Sequence, residues 1–101
     1  MMVEQSTFDR RLKIHNLDLK RTETYLEFNN DYFEWIDFTN IKLKNVVFNG
    51  CIFEECVFVE TDFENCNIMG SEFFSCNFTD CTENRNFSLS NDFSHCDGRF
   101  D

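Results

Sequence analysis

From Cys51 to Asp80 the chain reads C-I-F-E-E, C-V-F-V-E, T-D-F-E-N, C-N-I-M-G, S-E-F-F-S, C-N-F-T-D. The third letter of each block is bulky and apolar, and the first is small. Carried towards the N-terminus, the same phase places Phe28, Phe33, Phe38, Leu43 and Phe48 ahead of Phe53, Phe58, Phe63, Ile68, Phe73 and Phe78, eleven centres without a slip. Two residues before each centre runs a second series: Leu26, Asp31, Ile36, Ile41, Val46, Cys51, Cys56, Thr61, Cys66, Ser71 and Cys76, continued by Cys81. From Val46 onward its members are all small or medium-sized. A period of five matches neither the 3.6 of an α-helix nor the 2 of a strand, so the signal is an internal repeat.

A chain of 101 residues makes one domain with a modest core. Its 14 Phe lie almost entirely on the repeat phase, so most of its apolar mass belongs to one continuous interior, which argues against disorder despite the high charge. Net charge is -10, unevenly spread. Residues 1–24 hold five bases and four acids, residues 25–101 hold four bases and fifteen acids, and Asn45 to Glu83 contains eight acids and no base. That field opposes phosphate, so direct nucleic-acid binding is not expected, and a basic partner surface is.

The blocks quoted above resemble the pentapeptide-repeat family, whose unit has a central Leu or Phe, a small residue two positions earlier and polar residues between. Departures from that pattern are the Cys-rich small slot, the aromatic centres and Asp31 in a slot expected to be apolar. The resemblance implies an all-β fold, a right-handed quadrilateral β-helix of about three to four coils with terminal caps. It also implies that residues twenty apart stack. Phe33, Phe53, Phe73 and Phe93 then share a column, as do Ile36, Cys56, Cys76 and Cys96, while Gly50 stacks on Gly70 and Asn45 on Asn65. Glycine suits a corner of positive φ, and superposed Asn side chains can form ladders.

The domain reading is an N-terminal cap over residues 1–24, a regular repeat over 25–82, and residues 83–101 as an irregular loop, a partial last coil and a C-terminal cap or dimer contact. Met1 to Thr7 is expected to fray. Phe8 to Leu19, with Leu12, Ile14, Leu17 and Leu19 alternating in two pieces around His15-Asn16, reads as a short hairpin. Its bases Arg10, Arg11, Lys13, Lys20 and Arg21 read as a solvated face. The phase fails from Thr82 to Asp92, read as a loop, and recovers at Phe93. Solenoid ends need covering, so Phe93 and Phe100 are expected to join a homodimer through the C-terminal end.

No catalytic constellation emerges, and the chain reads as not an enzyme, with no cofactor and no metal site. Five of the six Cys sit in the small slot as compact buried hydrophobes, with no C-x-x-C pair for zinc. His15 and His95 are far apart, Glu54-Glu55 points into solvent, and the sequons at Asn77 and Asn86 signify nothing without secretion. No apolar run suits a secretory signal or a membrane span, so free thiols and a cytoplasmic location are expected.

Function is therefore expected from the surface. The first reading is a DNA mimic whose carboxylates, Glu54, Glu55, Glu60, Asp62, Glu64, Glu72 and Asp80, occupy the basic DNA-binding groove of a bacterial protein and inhibit it. The resemblance extends to family members that act in this way on DNA gyrase and topoisomerase IV; a restriction or CRISPR nuclease blocked by a phage protein is an equal target. The second is an interaction scaffold without DNA mimicry, using the exposed apolar residues Trp35, Val47, Ile52, Val57, Val59, Met69 and Phe74.

Overall fold

The computed structural model describes residues 1–19, 24–83, 92–94 and 96. Every strand pairing within the repeat is parallel and joins residues twenty apart. On the first side, β2 (Leu26–Asn29), β5 (Val46–Asn49) and β8 (Asn67–Met69) set Phe28 over Phe48 over Ile68. The second side holds β3 (Tyr32–Glu34), β6 (Ile52–Glu54), β9 (Glu72–Phe74) and β11 (Asp92–Ser94), with Phe33, Phe53, Phe73 and Phe93 in register. The third side is joined by the isolated bridges Asp37–Val57 and Val57–Asn77 and by backbone bonds such as Phe38 N–H to the Val57 carbonyl. The fourth holds β4 (Lys42–Lys44), β7 (Asp62–Glu64) and β10 (Thr82–Glu83). Four five-residue units thus close one turn, and the chain is a four-sided parallel β-solenoid measuring 39 × 28 × 23 Å.

The corners explain why a five-residue unit turns. Every fifth residue from Asn30 to Asp80 has φ between 52° and 64°, a left-handed value that bends the backbone after each three- or four-residue strand. Glycine takes this conformation freely and Asn tolerates it, which accounts for Gly50, Gly70, Asn30, Asn40, Asn45 and Asn65. Trp35, Glu55, Glu60, Ser75 and Asp80 adopt it too, at a cost of roughly 1–2 kcal/mol each.

Ladder and core offset that cost. Phe rings stack along the axis, Phe33 on Phe53 at 4.7 Å, Phe53 on Phe73 at 4.6 Å and Phe38 on Phe58 at 4.4 Å, close to the ~4.8 Å between paired strands. Rings from adjacent sides meet edge to face, as Phe48 and Phe53 do at 5.2 Å, the arrangement aromatic quadrupoles favour. All eleven centres are buried, each contributing roughly 1.5–3 kcal/mol.

The N-terminal end departs from expectation. Residues 8–19 form no hairpin; residues 8–18 belong to α1 (Gln5–Asp18), which Leu19 caps and which buries Phe8, Leu12 and His15. Those three follow helical spacing, but Ile14 and Leu17, about 60% exposed, imitate alternation and obscure it in the sequence. Met1 to Thr7 is likewise not frayed as a whole. β1 (Met2–Val3) pairs with β3 and buries Val3 on Phe33.

This segment satisfies the edge of the first coil. Phe8 packs on Phe28, Phe33 and Phe38. The Gln5 amide donates to the Asp37 carbonyl at 3.1 Å and accepts from the Asp37 N–H at 2.7 Å, replacing the backbone of a preceding coil. Arg11 donates to the carbonyl of Glu27 at 3.2 Å, the His15 Nε2–H donates to that of Lys44 at 2.8 Å, and the Tyr32 N–H donates to that of Met1 at 2.9 Å. Asp31, the residue out of character for its slot, lies 3.7 Å from the α-ammonium of Met1. One helix and one short strand thereby reach all four sides of an otherwise unpaired sheet edge.

At the other end, Thr82 and Glu83, expected to open a loop, instead continue the fourth side as β10 against Asp62 and Phe63. The ladder holds Glu83 on strand although its residue type breaks the pattern. Asp92, expected to close that loop, is likewise on a strand, as the first residue of β11. Most of that loop, and Phe100, lie outside the described residues, and Phe93 is placed by its backbone alone.

Candidate interaction surface

In each unit the residues flanking the centre point outward, so a coil presents two outward columns per side and one column per corner. The second side carries Met2, Tyr32, Ile52 and Glu72 in one column and Glu34, Glu54 and Phe74 in the next. The corner beside it stacks Trp35, Glu55 and Ser75, with the Trp35 N–H donating to the Glu54 carbonyl and the Glu55 N–H to that of Phe74. The fourth side, opposite, carries Lys42, Asp62 and Thr82 beside Lys44 and Glu64, and the corner leading to it carries Asn40, Glu60 and Asp80.

The seven acids singled out in the sequence therefore do not share a face. Glu54, Glu55 and Glu72 belong to the second side and its corner; Glu60, Asp62, Glu64 and Asp80 belong to the fourth. Their surroundings also differ. Lys42 and Lys44 lie 3.7 and 3.8 Å from the Glu64 carboxylate, and Asp62 accepts from the Thr82 hydroxyl at 2.8 Å. The first two coils of the fourth side are thus neutralised from within. On the second side no strand holds a Lys or Arg, and Glu54 accepts a hydrogen bond from the Tyr32 hydroxyl, which keeps that phenol protonated and pushes its pKa up to about 12. On the third side, the Thr39 hydroxyl and amide hold Asp37 below the usual carboxylate range.

Of the apolar residues, Trp35 is 68% exposed, and Ile52 and Met69 are about 40% exposed. Val47, Val57, Val59 and Phe74 are half-buried. Met2, Tyr32 and Glu34 join the second side without having been singled out. For Tyr32 and Glu34 the five-residue phase already contained the signal, since both flank Phe33; Met2 carries none, because β1 lies outside the repeat.

Inward, the small slot is not merely compact. Cys51, Cys56, Cys66, Cys76 and Cys81 are free and buried, and each donates its thiol to a backbone carbonyl. Burial pushes the Cys66 thiol up to about 11. Cys76 is raised as well, first by its hydrogen bond with Cys56 and then by burial. Both are thereby turned from nucleophilic to inert.

Two shallow depressions exist, of about 300 Å³ along Tyr25, Val47 and Asn67 and about 340 Å³ beside Leu12, Lys13 and Leu17 of α1. Glu27 and Cys66 also line the first, where the Cys66 thiol donates to the Leu43 carbonyl at 3.1 Å. In the first, Asn65 is engaged with the Tyr25 hydroxyl at 2.9 Å and the Asn45 Oδ1 at 2.8 Å, the expected Asn ladder. Among the described residues no three His, Cys, Asp or Glu are grouped to hold a metal ion, and no helix is long and apolar enough to cross a membrane. His95 lies outside the described residues.

A search of curated proteins finds no match to the chain. The family model described as pentapeptide repeats (9 copies) matches residues 38–82, a segment in which the corners and stacked centres recur every five residues.

Proposed function

We propose that the chain is a non-enzymatic acidic interaction protein that binds the basic DNA-binding groove of a bacterial enzyme by imitating the charge of duplex DNA. Repeat proteins of this family serve generally as interaction scaffolds, and charge density supports the finer reading. Leu26 to Glu83 holds twelve carboxylates and two lysines. Those 58 residues, at twenty per turn and a rise of about 4.8 Å per turn, extend over roughly 14 Å. The net density is then about one negative charge per 1.4 Å, near the one per ~1.7 Å of duplex DNA. The ladder holds these charges on a rigid frame, so a basic groove meets them without first ordering a flexible chain. Targets of this chemistry include DNA gyrase, topoisomerase IV, and restriction or CRISPR nucleases, the last as a counter-defence role for a phage or mobile element inside a cell.

The test is inhibition of purified gyrase, topoisomerase IV and a DNA nuclease across a salt series. Inhibition of at least one enzyme, falling steeply as salt rises, is expected. It is expected to be lost when Glu54→Gln, Glu55→Gln, Glu60→Gln and Asp62→Asn are combined, with thermal stability unchanged. Inhibition that survives this variant or ignores salt would reject mimicry. The second reading, a scaffold that grips its partner by apolar contact, is favoured by one observation: Trp35 and Ile52 are both exposed on the second side and its corner.

A further inference from the structure

The second side and its corner combine Glu34, Glu54 and Glu55 with the exposed Trp35 and Ile52, and no strand of this side holds a Lys or Arg. Trp35 is the chain's single Trp, 68% exposed, and held at φ 58°, where its own backbone is strained. Four other corners of the same type carry Asn, which sits there with less strain. Neither burial nor backbone conformation accounts for an indole at this position. Trp is among the residues most enriched at the hot spots of protein interfaces.

Around it the ladder fixes the neighbours. Glu34 and Glu54 are register partners, one residue from the corner on adjacent coils, and Glu55 follows Trp35 in the corner column. Tyr32 and Ile52 are register partners in the other outward column. The surface thus presents the Trp35 indole, the pair Tyr32 and Ile52, and three carboxylates within two coils, with no base on any of its strands. An arginine fits this combination: its guanidinium can lie over the indole while a carboxylate takes its N–H groups, and its methylenes and an aliphatic neighbour cover Ile52.

We infer that the second side, centred on Trp35 and bounded by Glu34, Glu54, Glu55, Tyr32 and Ile52, is a docking surface for an arginine-bearing polypeptide segment with aliphatic residues between its bases. The inference rests on the reading of the chain as an acidic interaction protein and adds a face and an anchor to it. The partner is recognised here by contact as well as by field, which a phosphate-imitating rod alone does not require. The fourth side, neutralised by Lys42 and Lys44, takes no part.

The test uses the full chain and two fluorescently labelled synthetic peptides of equal length and charge, one alternating arginine with leucine and the other arginine with glycine. Affinity is read from peptide anisotropy, and Trp35 emission in the parent chain reports contact at the site. The arginine–leucine peptide is expected to bind at least about tenfold more tightly and to change Trp35 emission. Trp35→Asn, and the pair Glu54→Gln with Glu55→Gln, are each expected to weaken it at least about tenfold with melting temperature unchanged or raised. A purely structural role for Trp35 would instead lower the melting temperature and leave affinity alone. Asp62→Asn with Glu64→Gln, on the opposite side, is expected to change affinity less than about threefold.

Equal affinity for the two peptides, or equal losses from the two charge pairs, overturns the docking surface while leaving charge mimicry intact. Self-association of the free protein that Trp35→Asn abolishes would assign the face to a second copy and also overturn it. Failure to inhibit any DNA enzyme would reject mimicry without altering the peptide result.

Discussion

The Sγ of Cys76 donates to the carbonyl oxygen of Phe53, 23 positions earlier, at 3.4 Å. The same offset joins Cys51 to Phe28, Cys56 to Phe33, Thr61 to Phe38, Cys66 to Leu43 and Cys81 to Phe58. Each link spans one coil plus three residues, so the small slot ties each turn to the one before it. Ile36 and Ile41, in the first coil, have no preceding coil to tie to and are aliphatic, whereas Cys56 and Thr61, stacked on them, carry donors.

Thr61→Val tests this link, since it keeps shape and removes the 2.7 Å bond to Phe38. We expect a loss of about 1 kcal/mol in urea denaturation, and Thr61→Cys to recover most of it. A neutral Thr61→Val would mean that volume alone selects this slot.

The corners predict opposite signs for exchanges in opposite directions. Glu55→Gly at φ 52° is expected to stabilise by about 0.5–1 kcal/mol, backbone strain relieved less the extra entropy of the unfolded glycine chain. Gly70→Ala is expected to destabilise, and Gly50→Ala more so, because a Cβ on Gly50 would lie 2.6 Å from the Asn30 Oδ1 while one on Gly70 meets open space. Equal costs for the two glycines, read by thermal melts, would show that the Asn30 side chain swings clear of the added methyl group.

The cap is tested at Gln5, whose side chain makes both bonds to the Asp37 backbone. Gln5→Ala is expected to cost about 1 kcal/mol and to speed hydrogen exchange at the Asp37 amide while leaving Phe73 protected. Phe8→Ala, which vacates the space over three rings, is expected to cost about 3–5 kcal/mol. Uniformly faster exchange throughout would show that α1 is no separate cap.

The buried thiols set an alkaline limit. Cys66 is raised from 9.0 to about 11 in the folded state, so the unfolded chain releases its proton first as pH climbs. The stabilisation is fully present below pH 9 and is lost as pH rises towards 11. Urea midpoints should be level with respect to this group up to pH 9 and decline above it, and Cys66→Ser should shallow the decline. In the native state at neutral pH a thiol reagent should react slowly with the five buried Cys and rapidly in denaturant. Two or more native disulfides would contradict the free thiols.

Charge placement shows where reading by residue type stops. The seven acids were legible as outward, because each flanks a centre or sits at a corner. Their division between two opposed sides follows only from which multiple of five each belongs to. Glu54 and Asp62 are eight residues apart in the chain but on opposite sides of the solenoid. Lys42 and Lys44 reach Glu64 because twenty residues of chain return them to adjacent strands.

The sequence by itself determined the five-residue unit, the twenty-residue register, the inward Phe columns and the glycine corners, because each is a local rule applied again at every coil. Tertiary structure alone decided the rest. The helix over Gln5–Asp18 occurs once, with no repeat to reveal it, and its buried face is defined by the coil edge it satisfies. The thiol donors became evident only when a carbonyl 23 residues away was brought beneath them. Trp35 gained Glu55 as its corner neighbour and Glu54 beside its own Glu34 because the ladder stacks the coils, a neighbourhood created by stacking rather than by sequence proximity.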